Sequence, residues 1–490
     1  MPNVPERWSF PDGRTASRLI CGLWQVADLE KSGTPLDRDV AAADLRAYAD
    51  AGFDTFDMAD HYGTAELIAG RMLSRWAGSS QRPLAFTKWC PPPGPMTAEI
   101  VRRGVTERLQ RLGVERVDLL QFHWWTFEHL AWLDALHELN RLRDEGLIAE
   151  IGVTNFDAAH LRLALSDGIP VATNQVSFSL LDRRAAGELS ALCGERDVKL
   201  LAYGTLCGGF LSERWLGQPE PQSLADWSRS KYKRFIDASG GWDVFQGILH
   251  AAGAVAAGHG VSIANIATRW VLDHDAVAAA IIGARLGESE HRNDNLKVFG
   301  VTLSDDDRAT LDAALSEATP IPGDCGDEYR RPPFLTASGD LSHHLSEVPG
   351  YFTATPVSGH ADRWRVSSGS VWEPIAGYSR AVRVGDVIRV SGTTATDGLS
   401  RQVAPGDPAA QTTFILDKIA ASIGALGGRM EDVARTRIFL ADADWWEPVS
   451  RAHGRVFGEI LPANTMIEIG RLIGDYEVEI EAEAILSNPA

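Results

Sequence analysis

The sequence predicts an α/β protein, with a (β/α)8 TIM barrel followed by a smaller α+β domain. Eight short apolar runs alternate with helical patterns over roughly the first 320 of the 490 residues, a length usual for one barrel with loop insertions. No glycine-rich GxGxxG turn follows the first run, which argues against a doubly wound open sheet. After residue 376 the rhythm changes to hairpin-like segments, which indicates a second domain.

The barrel strands are predicted as short apolar runs joined by amphipathic helices. In order they are RLICGLWQV (18–26), FDTFDM (53–58), LAFTK (84–88), VDLLQF (117–122), IAEIGV (148–153), VATNQV (171–176), VKLLAY (198–203) and AAAIIG (278–283). ELIAGRMLSRW (66–76) and MTAEIVRRGVTERLQRLG (96–113) carry apolar residues at helical spacing, and the latter ends at Gly113 as a helix should. Strands joined by such helices are parallel, and eight of them most simply close into a barrel.

The chain after Leu315 changes in composition. Residues 317–375 are rich in Pro, Gly, Ser and His and have weak periodicity, which is typical of a tail and linker. We therefore predict a barrel domain with its tail at 1–345, a linker at 346–365 and a second domain at 366–490.

The second domain is predicted to place helices on one face of a sheet. Its segments are a hairpin at 381–392 turning at Gly385-Asp386, helices at 411–427 and 445–461, and strands at 433–442, 465–470 and 476–486. The last strand, YEVEIEAEAIL, alternates strictly, which predicts one acidic and one apolar face.

Composition excludes several classes of protein. The net charge of −19, from 47 basic and 66 acidic residues, argues against a nucleic-acid-binding surface. Five cysteines without a CxxC pair suit a reducing compartment, and no apolar run approaches the ~20 residues of a membrane helix. We expect a cytoplasmic protein with no membrane or nucleic-acid partner. We also predict no metal site, because the adjacent His343 and His344 have no other ligands beside them.

Four polar residues follow consecutive predicted strands, and they suggest a catalytic site: Asp57, Tyr62, Lys88 and His123. Catalytic groups of such barrels lie where strands end, so these side chains are expected to converge on one mouth. A free phenol has a pKa of about 10, and we expect the ammonium of Lys88 to lower it. A carboxylate would hold the lysine, and the imidazole would orient the substrate oxygen or assist proton transfer. Since none of these groups supplies a hydride, a cofactor is required.

This set resembles the catalytic tetrad of the aldo-keto reductases, and further motifs over roughly residues 10–320 resemble that family. Two segments, GVTNF (152–156) and NQVSFSLLDR (174–183), resemble those that hold the nicotinamide carboxamide. A third, LLAYGTLCGGFLSERW, resembles the segment that stacks on the nicotinamide ring and wraps the pyrophosphate. A fourth, IIGARLGESEHRNDNLK, resembles the segment that binds the adenosine phosphate. The cofactor-binding residues that the resemblance implies are Thr154, Asn155, Gln175, Tyr203, Gly204, Leu206, Gly208, Leu211, Gly283, Arg285 and Asn295.

The resemblance implies transfer of a hydride between NAD(P)H and an aldehyde, ketone or sugar carbonyl, with Tyr62 as general acid and base. Because a guanidinium binds a 2′-phosphate bidentately, Arg285 favours NADP(H) over NAD(H). Tryptophans near the predicted mouth, Trp24, Trp89 and Trp124 above all, are candidates for the substrate pocket. Ordinary packing in the core is the alternative role for each of them.

Residues 366–490 resemble the Rid family of reactive intermediate deaminases, which are also called YjgF-like. The matching segments are SSGSVWEPIAGYSRAVRVGDVIRVSGTTATD, EDVARTRIFLAD, LPANT and EVEIEAEAI. The resemblance implies a chorismate-mutase-like fold and homotrimers with clefts between subunits. Imine-hydrolysing members carry an arginine where this chain has Asn464, and an amide cannot make that charge pair. Glu479 matches the family's glutamate, so a ligand cleft or a trimerising role remains open beside catalysis.

The sequence leads to three alternative hypotheses for the function. The leading one is an NAD(P)(H)-dependent oxidoreductase whose appended domain trimerises or binds a ligand. The first alternative is an enamine or imine hydrolase centred on the Rid-like domain, against which Asn464 argues. The second is a regulatory protein that senses the redox state of NADP, against which the intact tetrad argues.

Overall fold

The barrel domain consists of eight parallel strands that close on themselves, with helices outside. The structure is a computed structural model that describes residues 4–31, 33, 36–77, 79, 82–224, 226–284, 286, 291–331, 333–336 and 349–486. The barrel strands are β3 (Leu19–Gly22), β4 (Thr55–Asp57), β5 (Leu84–Trp89), β6 (Val117–His123), β7 (Ile148–Thr154), β8 (Val171–Ser177), β9 (Lys199–Tyr203) and β10 (Val277–Gly283). They pair in that order, and β10 closes the ring on β3. The predicted barrel is confirmed.

The helices of this domain are α1 (Trp24–Lys31), α2 (Arg38–Asp50), α3 (Ala65–Leu73), α4 (Ala98–Leu112), α5 (Ala131–Asp144), α6 (Ala158–Ser166), α7 (Glu188–Glu195), α8 (Trp227–Ala238), α9 (Trp242–His259), α10 (Ile263–Leu272), α11 (Arg292–Asn295), α12 (Asp305–Leu315) and α13 (Asp327–Arg330). The first predicted strand was too long, because the chain turns into α1 at Trp24. Periodicity alone does not separate a buried strand from the start of a buried helix. Gly113 caps α4 at φ 63°, a left-handed conformation that suits glycine.

An N-terminal hairpin, which the sequence did not reveal, closes the bottom of the barrel. Strands β1 (Arg7–Ser9) and β2 (Thr15–Ser17) pair in antiparallel fashion. Phe10 at the turn is buried in one apolar cluster with Phe86 and Leu201 from the barrel strands. The hairpin therefore excludes water from the end of the barrel opposite the strand carboxyl ends.

The second domain is a seven-stranded sheet with its long helices on one face. Its strands are β11 (Ala354–Pro356), β12 (Arg363–Val366), β13 (Ala381–Val384), β14 (Val387–Thr394), β15 (Val433–Leu440), β16 (Ala463–Glu468) and β17 (Val478–Ile485), and its helices are α14 (Trp372–Ala376), α15 (Pro408–Ala425) and α16 (Trp446–Phe457). The strand order is β11-β12-β13-β14-β17-β15-β16. Strands β11 and β12 lie within or next to the predicted linker, so much of that segment belongs to the sheet.

The acidic face of β17 forms ion pairs with neighbouring strands. The even positions from Val478 to Ala484 are buried, as the alternation predicts. On the other face Glu481 pairs with Arg437 and Glu483 pairs with Arg389, each at 2.7 Å. These exposed pairs add little stability individually, but they leave the outer face polar at its centre.

The two domains pack helix against helix, α15 on α6. His160 of α6 contacts Asp417 of α15 at 3.0 Å, and Arg162 contacts Asp407 at 2.7 Å. The side chain of Arg455 on α16 points towards the barrel domain. The apolar core runs continuously from one domain into the other.

Among the described residues, no single helix has the length and apolar character needed to cross a membrane. Helices α9 and α10, which meet at 95°, satisfy that test only when taken together.

Candidate active site

A buried carboxylate, Asp57, lies at the centre of the barrel mouth. Its Oδ2 accepts a hydrogen bond from Lys88 Nζ at 2.6 Å, and both side chains are buried. Its Oδ1 accepts hydrogen bonds from the amides of Gln121 at 2.9 Å and Gln175 at 2.7 Å. Three donors satisfy this carboxylate, and the lysine balances its charge. The ammonium of Lys88 is thereby held at a fixed position.

The phenol of Tyr62 lies over this ion pair, in the loop between β4 and α3. Lys88 Nζ is 5.0 Å from the centroid of the phenol ring, and the Trp24 indole packs edge-on against it at 5.0 Å. The net shift of the phenol pKa in this structure is opposite to the lowering that we expected from Lys88. Burial, followed by the charge of Asp57, raises the pKa of Tyr62 well above its usual value. The phenol is therefore protonated at neutral pH and releases its proton only to a strong base, such as an alkoxide.

The imidazole of His123 ends β6 and completes the group. Its Nδ1 lies 3.6 Å from Cys90 Sγ, and the Trp125 ring lies 4.5 Å from the imidazole. Its pKa lies well below the usual value because the ring is buried and because cations surround it. Those cations are Arg330, His61, Lys88 and Lys231. The imidazole is neutral at pH 7 and is suited to hydrogen bonding with a carbonyl oxygen.

Three consecutive strands end in a buried polar atom that has no hydrogen-bond partner among the described residues. These atoms are His123 Nε2 on β6, Thr154 Oγ1 on β7 and Ser177 Oγ on β8. An unpaired buried polar group costs about 1–3 kcal/mol, so a ligand that pairs them is favoured. The carboxamide of a nicotinamide both donates and accepts hydrogen bonds, so it is a suitable partner for these three atoms. Thr154 was predicted to bind the cofactor, and that role stays a prediction, whereas Ser177 was not predicted.

Tyr203 ends β9, and the loop that follows it is the segment predicted to hold the cofactor. The Tyr203 hydroxyl lies 2.9 Å from Oδ1 of Asn155, whose backbone has φ 57°. Gly204 and Gly208 both have positive φ, and the ring of Tyr232 packs so closely on them that a Cβ at either would meet it within 2.9 Å. Glycine is therefore required at both positions. Leu206 and Leu211 of the same loop pack into the core.

The adenosine-phosphate segment is described only in part. Gly283 ends β10 beside Gln25, whose amide oxygen would lie 2.6 Å from any Cβ at that glycine. Asn295 ends the short helix α11. Arg285 lies outside the described residues, as do His343 and His344.

The tail after the barrel returns to the mouth, and α13 covers the site. Its Glu328 is buried and contacts Arg184 at 2.9 Å and the Tyr203 hydroxyl at 3.1 Å. The ring of Tyr329 lies 5.7 Å from that of His123, edge-on. The tail segment thus contributes an aromatic wall beside the imidazole.

The next residue, Arg330, ties α13 to the strand ends. Its Nη2 donates to the backbone carbonyls of Trp124 at 3.1 Å and Asn155 at 2.9 Å. Its guanidinium lies over the Phe127 ring at 4.3 Å. The position of the tail is therefore coupled to the loop that carries Asn155.

The tryptophans divide between pocket and core. Trp24 contacts Tyr62, in line with its predicted pocket role. Trp89 and Trp124 are buried in the core instead, and that part of the prediction is wrong. Trp89 packs on Phe122 at 5.9 Å, and Trp124 donates its Nε1–H to the carbonyl of His129 at 3.1 Å. Successive strand residues face opposite sides, so the inward Lys88 forces Trp89 outward.

A group of metal-ligand type lies next to Tyr62. One atom each from Asp60, His61 and Cys90 lies within 4.8 Å of the others. Asp60 contacts His61 Nδ1 at 2.9 Å and accepts a hydrogen bond from the backbone N–H of Cys90 at 2.9 Å. Burial raises the pKa of the Cys90 thiol well above its usual value, which disfavours the thiolate that metals bind. Our prediction of no metal site stays a prediction.

The two candidate residues of the second domain are not brought together within one chain. Asn464 donates to Thr436 Oγ1 at 2.8 Å, and Glu479 lies opposite Phe439 in the sheet. Thr436 and Phe439 are three residues apart on β15, or about 10 Å at the rise of a strand. Burial raises the pKa of Glu479, which Arg380 partly offsets.

Four residues at the site were missed by sequence reasoning: Gln121, Ser177, Lys231 and Tyr329. Gln121 and Ser177 are polar positions on otherwise apolar barrel strands, and that pattern was readable as an inward-facing signal. Lys231 and Tyr329 lie in the segment around 212–245 and in the tail from 317 to 345, which were expected to influence specificity, but no motif identified either residue individually.

Comparisons with known proteins agree with this architecture. Residues 18–316 match the aldo/keto reductase family, and residues 369–486 match the family described as endoribonuclease L-PSP, to which Rid and YjgF proteins belong. The NADH-specific methylglyoxal reductase of Escherichia coli is 26% identical over 331 residues, covering 62% of this chain and 96% of that protein. An uncharacterized protein of Streptomyces coelicolor is 37% identical over 121 residues, covering 24% of this chain and 90% of that protein.

Among solved structures, a glycerol dehydrogenase of Gluconobacter oxydans superposes with a TM-score of 0.54 at 24% sequence identity, covering 66% of this chain and 98% of that one. This likeness concerns the fold. The family match spans more than half of the chain. The chain therefore belongs to the aldo/keto reductase family, and it carries a C-terminal domain of the Rid (L-PSP) family.

Proposed function

We propose that this nicotinamide-dependent oxidoreductase reduces the carbonyl of an aldehyde, ketone or sugar, with Tyr62 as the proton donor. The observation that supports this most is the buried Asp57–Lys88 pair at the strand ends, with the protonated phenol above it and the neutral His123 beside it. When bound, the nicotinamide supplies the hydride. The unpaired atoms of His123, Thr154 and Ser177 are the groups that would hold carboxamide and carbonyl.

Each side chain has a separate role in this proposal. The Nε2 of His123 orients the carbonyl oxygen, and Tyr62 gives its proton to the oxygen as negative charge develops there. Lys88 stabilises the phenolate that remains, and Asp57 fixes the lysine. The reverse oxidation uses the same residues.

For the cofactor we propose NADP(H) rather than NAD(H), on the basis of Arg285. The relative from Escherichia coli is named as NADH-specific, so both cofactors belong in the test. A bidentate contact between a guanidinium and the 2′-phosphate increases the affinity for the phosphorylated cofactor by about tenfold or more.

Turnover with a carbonyl panel tests the proposal. The purified full chain is expected to oxidise NADPH in the presence of at least one aldehyde, ketone or sugar, and to oxidise NADH less efficiently. The measurement is the loss of 340-nm absorbance with each cofactor, together with fluorescence titration of cofactor binding. Stoichiometric binding of NADPH without turnover in either direction would instead support the alternative of a redox-sensing regulatory protein.

For the second domain we propose assembly into a homotrimer, with ligand binding in clefts between subunits. Exposed large apolar side chains are concentrated in this domain, and they include Trp372 at 61%, Ile375 at 74% and Ile473 at 92% exposure. Exposed apolar surface of this kind marks interaction sites. The separation of Asn464 from Glu479 within one chain also suits a cleft that two subunits share. Asn464 weighs against the alternative of imine hydrolysis.

Sedimentation tests the assembly. The full chain is expected to sediment as a species three times its 53.2 kDa mass. Replacing Trp372 and Ile375 on α14 with aspartate should shift it towards monomer if α14 lies in the interface. Val40→Asp, at an exposed apolar position on the barrel domain, is the control and should leave the mass unchanged. A monomer at micromolar concentration for the unaltered chain would refute the proposal.

A further inference from the structure

The side chain of Lys231 projects from α8 into a group of aromatic rings at the mouth of the barrel. Its Nζ lies 4.7 Å from the centroid of Tyr329 and 4.9 Å from that of Tyr203, and it donates a hydrogen bond to the Tyr329 hydroxyl at 2.8 Å. Aromatic faces attract a cation. They form no ion pair with the ammonium, which therefore retains affinity for an anion even though its charge also acts on the buried carboxylate of Glu328, whose pKa it helps to lower.

The other cations around His123 are already engaged by protein groups. Lys88 is paired with Asp57 at 2.6 Å, His61 contacts Asp60 at 2.9 Å, and Arg330 donates to backbone carbonyls. Lys231 differs, because no carboxylate of the described residues lies within 4.0 Å of its ammonium. The neighbouring Glu328 is held by Arg184 and by the N–H of Gly326, each at 2.9 Å.

Only one phenol ring separates this ammonium from the catalytic imidazole. Tyr329 contacts the His123 ring on one side and the ammonium on the other. Lys231 is also among the charges that keep the pKa of His123 low. If the carbonyl oxygen of the substrate lies between Tyr62 and His123, a substrate that extends past Tyr329 meets Lys231.

We propose that Lys231 binds an anionic group of the substrate, so that the preferred substrates are carbonyl compounds bearing a carboxylate a few carbon atoms away. This inference rests on the proposed reductase function and adds the substrate class to it. The ammonium has three hydrogens, and Tyr329 takes one of them. A carboxylate would accept from another, forming a charge-assisted hydrogen bond in a partly buried site.

The test compares 4-oxobutanoate with its methyl ester, two aldehydes that differ in this one charge. The unaltered full chain should show the higher kcat/KM for the acid, and added salt should reduce the difference. Lys231→Met should lower kcat/KM for the acid by about 10- to 100-fold, the range that one charge-assisted hydrogen bond supplies. The loss for the ester should be much smaller than the loss for the acid, and an unchanged dissociation constant for NADPH shows that the variant is folded. Lys231→Arg should restore part of the preference.

Two controls separate this proposal from others. Lys233→Met removes a neighbouring cation of α8 that pairs with Asp237 and Glu220, and it should leave both substrates unaffected. Succinate should inhibit competitively with the aldehyde, and Lys231→Met should raise its inhibition constant.

The opposite results overturn the proposal. An equal loss for acid and ester, no loss for either, or a weakened dissociation constant for NADPH with the acid preference intact would show that Lys231 does not select the substrate charge. Reduction of neutral aldehydes but not of the acid would refute the substrate class and leave the reductase function standing. Absence of turnover with any carbonyl would refute both.

Discussion

Tyr62→Phe is expected to lower kcat for carbonyl reduction by about 10²- to 10⁴-fold, the range that general acid catalysis contributes. The variant keeps the ring that packs on Trp24 at 5.0 Å, and it loses only the hydroxyl. Burial holds the phenol pKa high, so the hydroxyl carries its proton at neutral pH. Without that proton the alkoxide must be protonated by water, which the covering tail limits.

Measuring cofactor binding distinguishes a loss of catalysis in Tyr62→Phe from a loss of folding. Fluorescence titration of NADPH should give the same dissociation constant for Tyr62→Phe and for the unaltered chain, because the predicted cofactor contacts lie on other strands. Trp24→Phe, which keeps an aromatic neighbour but leaves the hydroxyl in place, is the matched control and should retain most of the turnover. Full activity of Tyr62→Phe would assign the proton donor to another residue.

The sequence was sufficient to predict the barrel and to place the four candidate residues at its mouth, because both depend on local pattern. The catalytic role of these residues stays a prediction. Each strand is a short apolar run, and a polar residue at its carboxyl end is carried to the mouth by the topology itself. No information beyond this pattern was needed to place Asp57, Lys88 and His123 at the mouth. The same alternation rule would have placed Trp89 outside the barrel, had it been applied to the residue after Lys88.

What the sequence did not show depends on contacts between distant segments. Tyr329 reaches His123 across more than two hundred residues of chain, from a tail with no periodic pattern. Lys231 lies on a helix whose packing against the mouth is set by neighbouring loops. The direction of the shift in the pKa of Tyr62 also required the structure, because its largest cause is burial, which no sequence motif reports.

The contact between the two domains also depends on segments that are distant in the sequence. We expect His160→Gln to weaken this contact strongly. The imidazole lies between two carboxylates, with Nδ1 2.7 Å from Asp157 and Nε2 3.0 Å from Asp417 of the second domain. It also stacks on the Phe127 ring at 3.5 Å. Burial alone would lower the pKa of His160, but these carboxylates outweigh burial and raise it above its usual 6.5. The shift favours the protonated imidazole, which pairs with one carboxylate of each domain.

The pH dependence follows from the direction of that shift. A histidine with a raised pKa binds its proton more tightly in the folded chain, so it stabilises the fold fully below the unfolded pKa of about 6.5. That contribution is lost as the pH rises through the folded pKa, which lies above 6.5. Unfolding by urea should accordingly show a loss of stability between neutral and alkaline pH. The loss should be absent from His160→Gln, which cannot titrate.

Breaking a buried ion pair leaves a carboxylate without its partner and costs about 3–5 kcal/mol. Asp157 caps α6 by accepting the backbone N–H of His160 at 2.9 Å, and that helix begins just after the loop of Thr154 and Asn155. The variant should therefore also weaken NADPH binding. His259→Gln breaks a histidine–carboxylate pair with Asp307 on the barrel surface, away from the domain contact, and serves as the control.

Equal stability curves for His160→Gln and His259→Gln would show that the imidazole does not join the domains. If the domains unfold together in the unaltered chain and separately in His160→Gln, the second domain stabilises the barrel through this contact. Arg455 of α16 lies 3.6 Å from both Asp157 and Asp324, the latter just before α13. The same helix thus contacts the start of α6 and the tail that covers the active site, so assembly of the second domain and closure of the site are expected to be linked through these carboxylates.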